Sequence, residues 1–328
     1  MERVHRSVTI LLIGGATDCG ALRWWALPSF DAILSIFGKM KGRALLRNRH
    51  MVGWILASPL GLVLMAFLMA PIVMIFVVSF WGATEWSIYP AFQLDNYAFL
   101  LTSDVTYRVF LNTFKYAAIT WVCTLTVGFT VAYYLAFHIR SLTWQIALFL
   151  LCTIPFLTSN IIRMISWIPF LGRNGIANTS LISMGVIDEP LDWLLFSDFS
   201  VILAFVHLYT LFMVVPIFNT MMRIDRSLIE AAADAGATGW QTLWHVIIPL
   251  TKPGIMIGTI FVVALVMGDF ITVRFMSGSQ SANVGRMIQN DIGLLQYPSA
   301  SATAVILLFT VLLLIGALLR FVDIRKEL

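Results

Sequence analysis

The stretch EAAADAGATGWQTLWHVIIPL, residues 230–250, interrupts a chain that is otherwise largely apolar. It holds two carboxylates (Glu230, Asp234), two glycines in a small-residue cluster (Gly236, Gly239), one histidine (His245) and a proline (Pro249). Glu230–Ala235 is rich in alanine, the best helix former. The run Gly236, Ala237, Thr238, Gly239 breaks that helix. Trp240–Ile248 then forms a second short helix, with Trp240, Leu243, Trp244 and Ile247 at i, i+3, i+4 and i+7. Pro249 and Pro253 are expected to end it, because proline lacks a donor and clashes inside a helix. The product is a helix-turn-helix with an apolar face toward its own bundle. Its alanine and glycine face lets another protein's surface approach closely. The bland alternative is an interfacial helix that only links two membrane spans.

The surroundings favour a membrane. The chain has 328 residues, 59% hydrophobic and 12% charged, against about 25% charge in a soluble domain. A bilayer core of about 30 Å needs about 20 apolar helical residues. Six runs lack Asp, Glu, Lys and Arg: 51–84, 116–139, 141–162, 199–222, 253–268 and 292–319. They place spans near 52–80, 110–138, 143–168, 199–221, 253–274 and 300–321, with 223–252 as the loop before the fifth. The fold class is therefore all-α integral membrane, with six core transmembrane helices. Barrel strands, which alternate polar and apolar over about 10 residues, do not fit.

Orientation follows from Lys and Arg. With the N-terminus in the cytoplasm, only Arg108, Lys115, Arg163, Arg173, Arg274 and Arg286 of the 21 basic residues fall outside or in spans. Both termini and the 223–252 loop then face the cytoplasm. The acidic segments 85–108 and 172–198 face out, as does the Ser-, Gly- and Asn-rich segment 275–298. Topology thus accounts for the basic excess, and no nucleic-acid partner is expected. Residues 1–50 read either as a cytoplasmic, partly interfacial tail or as an upstream start artefact, and 51–328 as the transmembrane domain.

Enzyme chemistry finds no footing. There is no G-x-x-x-x-G-K-[ST] phosphate loop, no H-E-x-x-H and no G-x-S-x-G. Cys19, Cys123 and Cys152 lack metal-ligand spacing, and no metal site or bound cofactor is expected. His207, inside the fourth span, is read as a packed, hydrogen-bonded side chain.

The opening stretch resembles the E-A-A-x3-G-x9-I-x-L-P signature of permease subunits of bacterial ABC importers. Glu230, Ala231, Ala232, Gly236 and Pro249 match, and Gly239 lies in the same loop; Val246 and Ile248 depart mildly from it. "PFLTSNIIRMISWIPFLGRNGIAN" (155–178), "DNYAFLL", "FLNTFKYA", "IDRSLIEAA" and the residues around Gly268-Asp269-Phe270 resemble spermidine/putrescine-type permeases, from about residue 50 to the C-terminus. The resemblance implies the ABC importer permease fold, with a coupling helix on the cytoplasmic loop that docks on an ATPase. It implies a multi-pass protein of the bacterial inner membrane. Its partners would be a homologous second permease, two ATPase subunits that use ATP and Mg, and an extracytoplasmic solute-binding protein. The solute would be a polyamine; an amino-acid-like compound, an opine or an anion stays open, as does a non-transporting membrane partner of an ATPase.

Candidate pathway residues follow from polarity inside spans. Pro155 removes a donor midway along the third span, beside Thr158, Ser159 and Asn160, either as a solute contact or as a structural kink. Arg163 either snorkels or meets a carboxylate. In the fifth span, Gly254-x-x-x-Gly258 and Ala264-x-x-x-Gly268 suit close helix packing. Asp269 lies about 20° from the Gly258 direction at 100° per residue. It is expected either to pair with Arg163 or Arg274, or to face a cavity and receive a cationic amine, with Trp167 and Phe270 near for cation–π contact.

Overall fold

The computed structural model describes residues 49–84, 87–139 and 141–320, the side chains of 49–57 excepted. Nearly all of the expected tail, together with Arg140, Arg325 and Lys326, lies outside the described residues. The chain divides into two units, Met1–Ala70 and Pro71–Leu328. Of the first, the described part belongs to helix α1 (Arg49–Val78), whose side chains from Ser58 to Ala70 are exposed. An exposed helix this apolar requires lipid or another apolar surface around it.

Among its described residues the second unit is all-α apart from a two-residue antiparallel pair, β1 (Gly82–Ala83) with β2 (Ile88–Tyr89). Its elements are α2 (Asp95–Thr102), α3 (Asp104–Tyr133, closing in a π turn at Tyr134–His138), α4 (Leu142–Thr153), α5 (Asn160–Leu171) and α6 (Ile176–Ser183). They continue as α7 (Asp198–Met221), α8 (Arg226–Asp234), α9 (Gly239–Thr242), α10 (Ile248–Gly268), α11 (Ile271–Met276), α12 (Val284–Gly293) and α13 (Tyr297–Arg320). Among the described residues five helical stretches are long and apolar enough to cross a membrane, and one bent pair brings the number to six.

α7 is the centre of the core, packed against α3 and α10. Small residues let these helices close. A Cβ on Gly254 would lie 2.5 Å from the Pro216 carbonyl oxygen, and one on Gly258 would lie 2.6 Å from the Met213 sulfur. Gly128 of α3 meets the same Met213 from the other side. The expected Gly254/Gly258 packing face is therefore present, whereas Gly268 faces open space. Thr113, Thr124 and Thr251 return their hydroxyls to the preceding turn and so enter the apolar core without orphaned donors, whereas the buried Thr106 and Thr120 hydroxyls have no partner among the described residues.

Two expected elements differ. The third span is a broken pair, Leu142–Leu157 and Asn160–Ser183, bent by 88°. Pro155 sits in a 3-10 turn (Ile154–Leu157), and Thr158 and Ser159 are extended. α4 and α5 each have 12 residues, about 18 Å at 1.5 Å per residue, too short to cross alone. The fifth span differs at both ends. Pro249 and Pro253 do not stop the helix, which runs from Gly239 to Gly268 through a π turn at Leu243–Ile247. In that turn Ile248 N–H donates to the Leu243 carbonyl, five residues back. The ladder thus shifts by one residue just before Pro249, where a donor is missing. The far end stops at Asp269, whose backbone is extended, and α11 follows as a separate helix.

Candidate functional site

The stretch 223–252 folds as a projecting hairpin. Asp225 caps α8 by accepting from Ser227 N–H at 3.0 Å, which holds its carboxyl below the ordinary carboxylate range. None of α8 is buried, Glu230 and Ala231 are exposed and Ala232 is half-buried. Its end is a Schellman motif: Gly236 N–H donates to Ala233 O at 2.9 Å and Ala237 N–H to Ala232 O at 3.0 Å. Gly236 holds φ +82, and a Cβ there would meet no atom. The demand for glycine is conformational, not steric. Gly239 has ordinary φ and open space, so the fold does not require it. Thr238 opens α9 with a capping box to Gln241. Leu243 and Ile247 pack toward the core, while Trp240 and Trp244 stay exposed and meet edge to face at 6.1 Å.

Beside this hairpin lies a cavity of about 960 Å³ between α4, α7, α8 and α10. Phe156, Phe212 and Phe261 line its apolar part; Asn219, Arg223 and Asp225 line the end next to α8.

The other candidate residues divide into two groups. Thr158, Ser159 and Asn160 are exposed at the α4–α5 break, where Thr158 Oγ1 donates to the Pro155 carbonyl at 2.8 Å. Arg163, one turn on, is buried; it donates to Asn160 Oδ1, and its Nε finds no acceptor. Trp167 donates to His207 Nδ1 at 2.9 Å, so both rings are engaged with each other as the packed reading of His207 expects.

Asp269 lies at the start of α11, which packs against α5. Its Oδ2 accepts from Tyr209 at 2.6 Å and from Thr272 Oγ1 at 2.5 Å, and its Oδ1 from Thr272 N–H at 3.0 Å. The expected Asp269–arginine pair is corrected here: the ion pairs among the described residues are Lys115–Asp198 and Arg173–Asp192. The carboxylate caps the new helix α11 instead, and a tyrosine supplies the remaining donor. Phe270 is half-buried beside it, against Gly285.

A second polar cluster escaped the sequence. Lys115 of α3 holds Asp198 Oδ2 at 2.5 Å. The Tyr116 hydroxyl lies 2.5 Å from Asp198 Oδ1 and 2.7 Å from Ser281 Oγ. Tyr116 and Ser281 are 165 positions apart, which no local pattern reveals. The only signal was a lysine and an aspartate each at the edge of an apolar run. Asp198 starts α7 and Met221 ends it, so this cluster lies about 36 Å along the helix from the hairpin end. Among the described residues no group of His, Cys, Asp and Glu converges on a metal position.

The comparisons agree on one kind of protein. A family model described as "Binding-protein-dependent transport system inner membrane component" matches residues 125–326. The chain is 34% identical over 258 residues to the spermidine/putrescine transport system permease protein PotB of Escherichia coli, covering 78% of this chain and 89% of that one. It is 31% identical over 267 residues to the PotB of Haemophilus influenzae, covering 80% and 90%. A solved bacterial alginate ABC transporter, in complex with its alginate-bound periplasmic protein, has a chain that superposes with TM-score 0.69 at 16% identity, covering 87% of this chain and 97% of that one; at that identity the likeness is one of fold.

Proposed function

The chain belongs to the binding-protein-dependent transport system inner membrane component family, and from that premise we propose that it is the permease subunit of an ATP-driven importer of polyamines. The observation that carries the solute class is the 34% identity to a spermidine/putrescine permease over 78% of the chain. Both termini and residues 223–252 face the cytoplasm in this reading, and 172–198 face out. α8 is the coupling helix. Its unburied surface, with Glu230, Ala231 and Ala232 before the Gly236 turn, meets an ATPase subunit, and Pro249 lies where the π turn carries the helix into the span. ATP and Mg are used by two such ATPase subunits, and this chain binds no nucleotide. A homologous permease completes the pathway, and an extracytoplasmic binding protein delivers the solute.

Closure of the ATPase pair moves α8, which leads through the Gly236 turn into α9, and α9 runs on through the π turn into α10 as one continuous helix. α10 in turn is locked to α7 through Gly254 and Gly258. A displacement at α8 therefore travels as a rigid-body movement of the α7–α10 pair. The cavity beside α8 and the exposed Thr158, Ser159 and Asn160 lie along the surface that this movement would open or close. Asp269 serves the fold first, by capping α11.

The test is uptake of labelled spermidine and putrescine by cells that lack their own polyamine importers and express this permease with its neighbouring ATPase, second permease and binding protein. Energy-dependent uptake supports the reading. Absence of uptake with all subunits in the membrane refutes the solute class.

A further inference from the structure

We infer that Asp198, Tyr116 and Ser281 form a primary-ammonium site that Lys115 occupies as an internal stand-in, and that a substrate amine enters by displacing it. This deepens the polyamine reading and rests on it.

The chemistry matches at each contact. A lysine side chain ends in the same group as a polyamine, an alkylammonium with three N–H donors. Here that group meets one carboxylate oxygen, Asp198 Oδ2, at 2.5 Å. It also lies 5.4 Å from the centroid of the Tyr116 ring, within cation–π range. The other carboxylate oxygen is fixed by the Tyr116 hydroxyl, and that hydroxyl is also 2.7 Å from Ser281. Carboxylate, ring face and hydroxyl are what recognises an ammonium tip on an alkyl chain.

The receiving groups are rigid and the occupant is not. Tyr116 is 1% exposed and packs edge to face on Phe205. Asp198 is the first residue of α7. Lys115 reaches in on a flexible four-carbon stem. Both members of the ion pair keep 43% of their side-chain surface. An exposed pair of this kind contributes little to stability, so its geometry is free to serve exchange. Displacement swaps one ammonium for another at the carboxylate and sends Lys115 into water. The site sits at the end of α7 away from the coupling hairpin, where a solute arriving from outside meets the bundle first in the proposed orientation.

An internal competitor lowers apparent affinity by the fraction of time the site stands free. The test is the Tm of the assembled transporter in nanodiscs, without binding protein, titrated with putrescine and with butanediol as the uncharged control. Lys115→Met keeps the stem and removes the competitor. Its putrescine midpoint should fall about tenfold below that of the wild type, and Lys115→Met/Asp198→Asn should lose the response. Lys115→Arg, which grips the carboxylate through two N–H groups, should move the midpoint the other way. Opposite shifts for Met and Arg are not produced by a merely structural ion pair. Equal midpoints for Lys115→Met and wild type overturn the inference. If Lys115→Met does not accumulate, an unshifted midpoint for Lys115→Arg overturns it equally. Spermidine uptake by the wild type is scored separately: uptake with unshifted midpoints sinks this site alone, and no uptake sinks the polyamine reading.

Discussion

Tyr209 donates its hydroxyl to Asp269 at 2.6 Å, joining the middle of α7 to the end of α10. The bond lies where α10 stops and α11 starts, and Thr272 satisfies the rest of the carboxylate. The carboxylate at the α10–α11 junction is thus satisfied by hydroxyl and N–H donors and not by an arginine.

That arrangement predicts a graded series at Asp269. Asp269→Ala should cost about 1–2 kcal/mol, the usual cost of losing a helix cap. Asp269→Asn should cost less, because asparagine also caps. A second change at Arg163 should rescue neither. Thermal unfolding of the purified complex checks this, and rescue by Arg163→Ala would contradict it.

Arg163 and Asn160 predict an asymmetry. Asn160→Ala leaves a buried guanidinium short of its acceptor, which costs about 1–3 kcal/mol or more for a charged group. Arg163→Met removes the charge and keeps the volume, and should be milder. The order of the two Tm values decides; a milder Asn160→Ala contradicts the assignment.

Gly254 and Gly258 differ in what blocks them. At Gly254 the obstacles include the Pro216 carbonyl oxygen, which is backbone. At Gly258 the nearest atom is the Met213 sulfur, on a flexible side chain. Gly254→Ala should therefore cost about 1–3 kcal/mol through overpacking, and Gly258→Ala less. Membrane abundance and Tm of the two variants test the order.

Asp225 predicts a pH dependence for α8. Its carboxyl is depressed because Ser227 N–H donates to it. For a depressed carboxylate the stabilisation is full above its unfolded value and is lost as pH falls through the lower folded value. The protection of α8 amides, corrected for the intrinsic exchange rate at each pH, should fall as the pH drops below the ordinary carboxylate range. Asp225→Ala should show the lower protection at neutral pH and converge with the wild type in acid. Equal protection of the two proteins at neutral pH would contradict the cap.

Much of this was legible along the chain. The apolar runs are long because lipid demands it. The α4–α5 break is announced by Pro155 and its polar followers, and the α8 turn by Gly236. The continuation of α10 through Pro249 and Pro253 was not legible, because proline reads as a stop unless a π turn is known to precede it. The partner of Asp269 was hidden for a different reason. Depth along a helix can be counted, but the rotation of α7 that brings Tyr209 to Asp269 depends on packing at Met213 and Gly258. Lys115 was placed in the second expected span and Asp198 in the outer segment 172–198, without any sign that they meet.

The central claim is that α8 transmits ATPase movement to the span through the Gly236 turn. A side chain at φ +82 costs about 1–2 kcal/mol of local strain, and a long cation there also obstructs a docking surface. The direct measurement is ATP hydrolysis by the reconstituted importer with and without solute-loaded binding protein, for wild type and Gly236→Arg at equal assembly. The account predicts clear stimulation of the wild type and little or none of Gly236→Arg. Stimulation of Gly236→Arg to the wild-type level would contradict it.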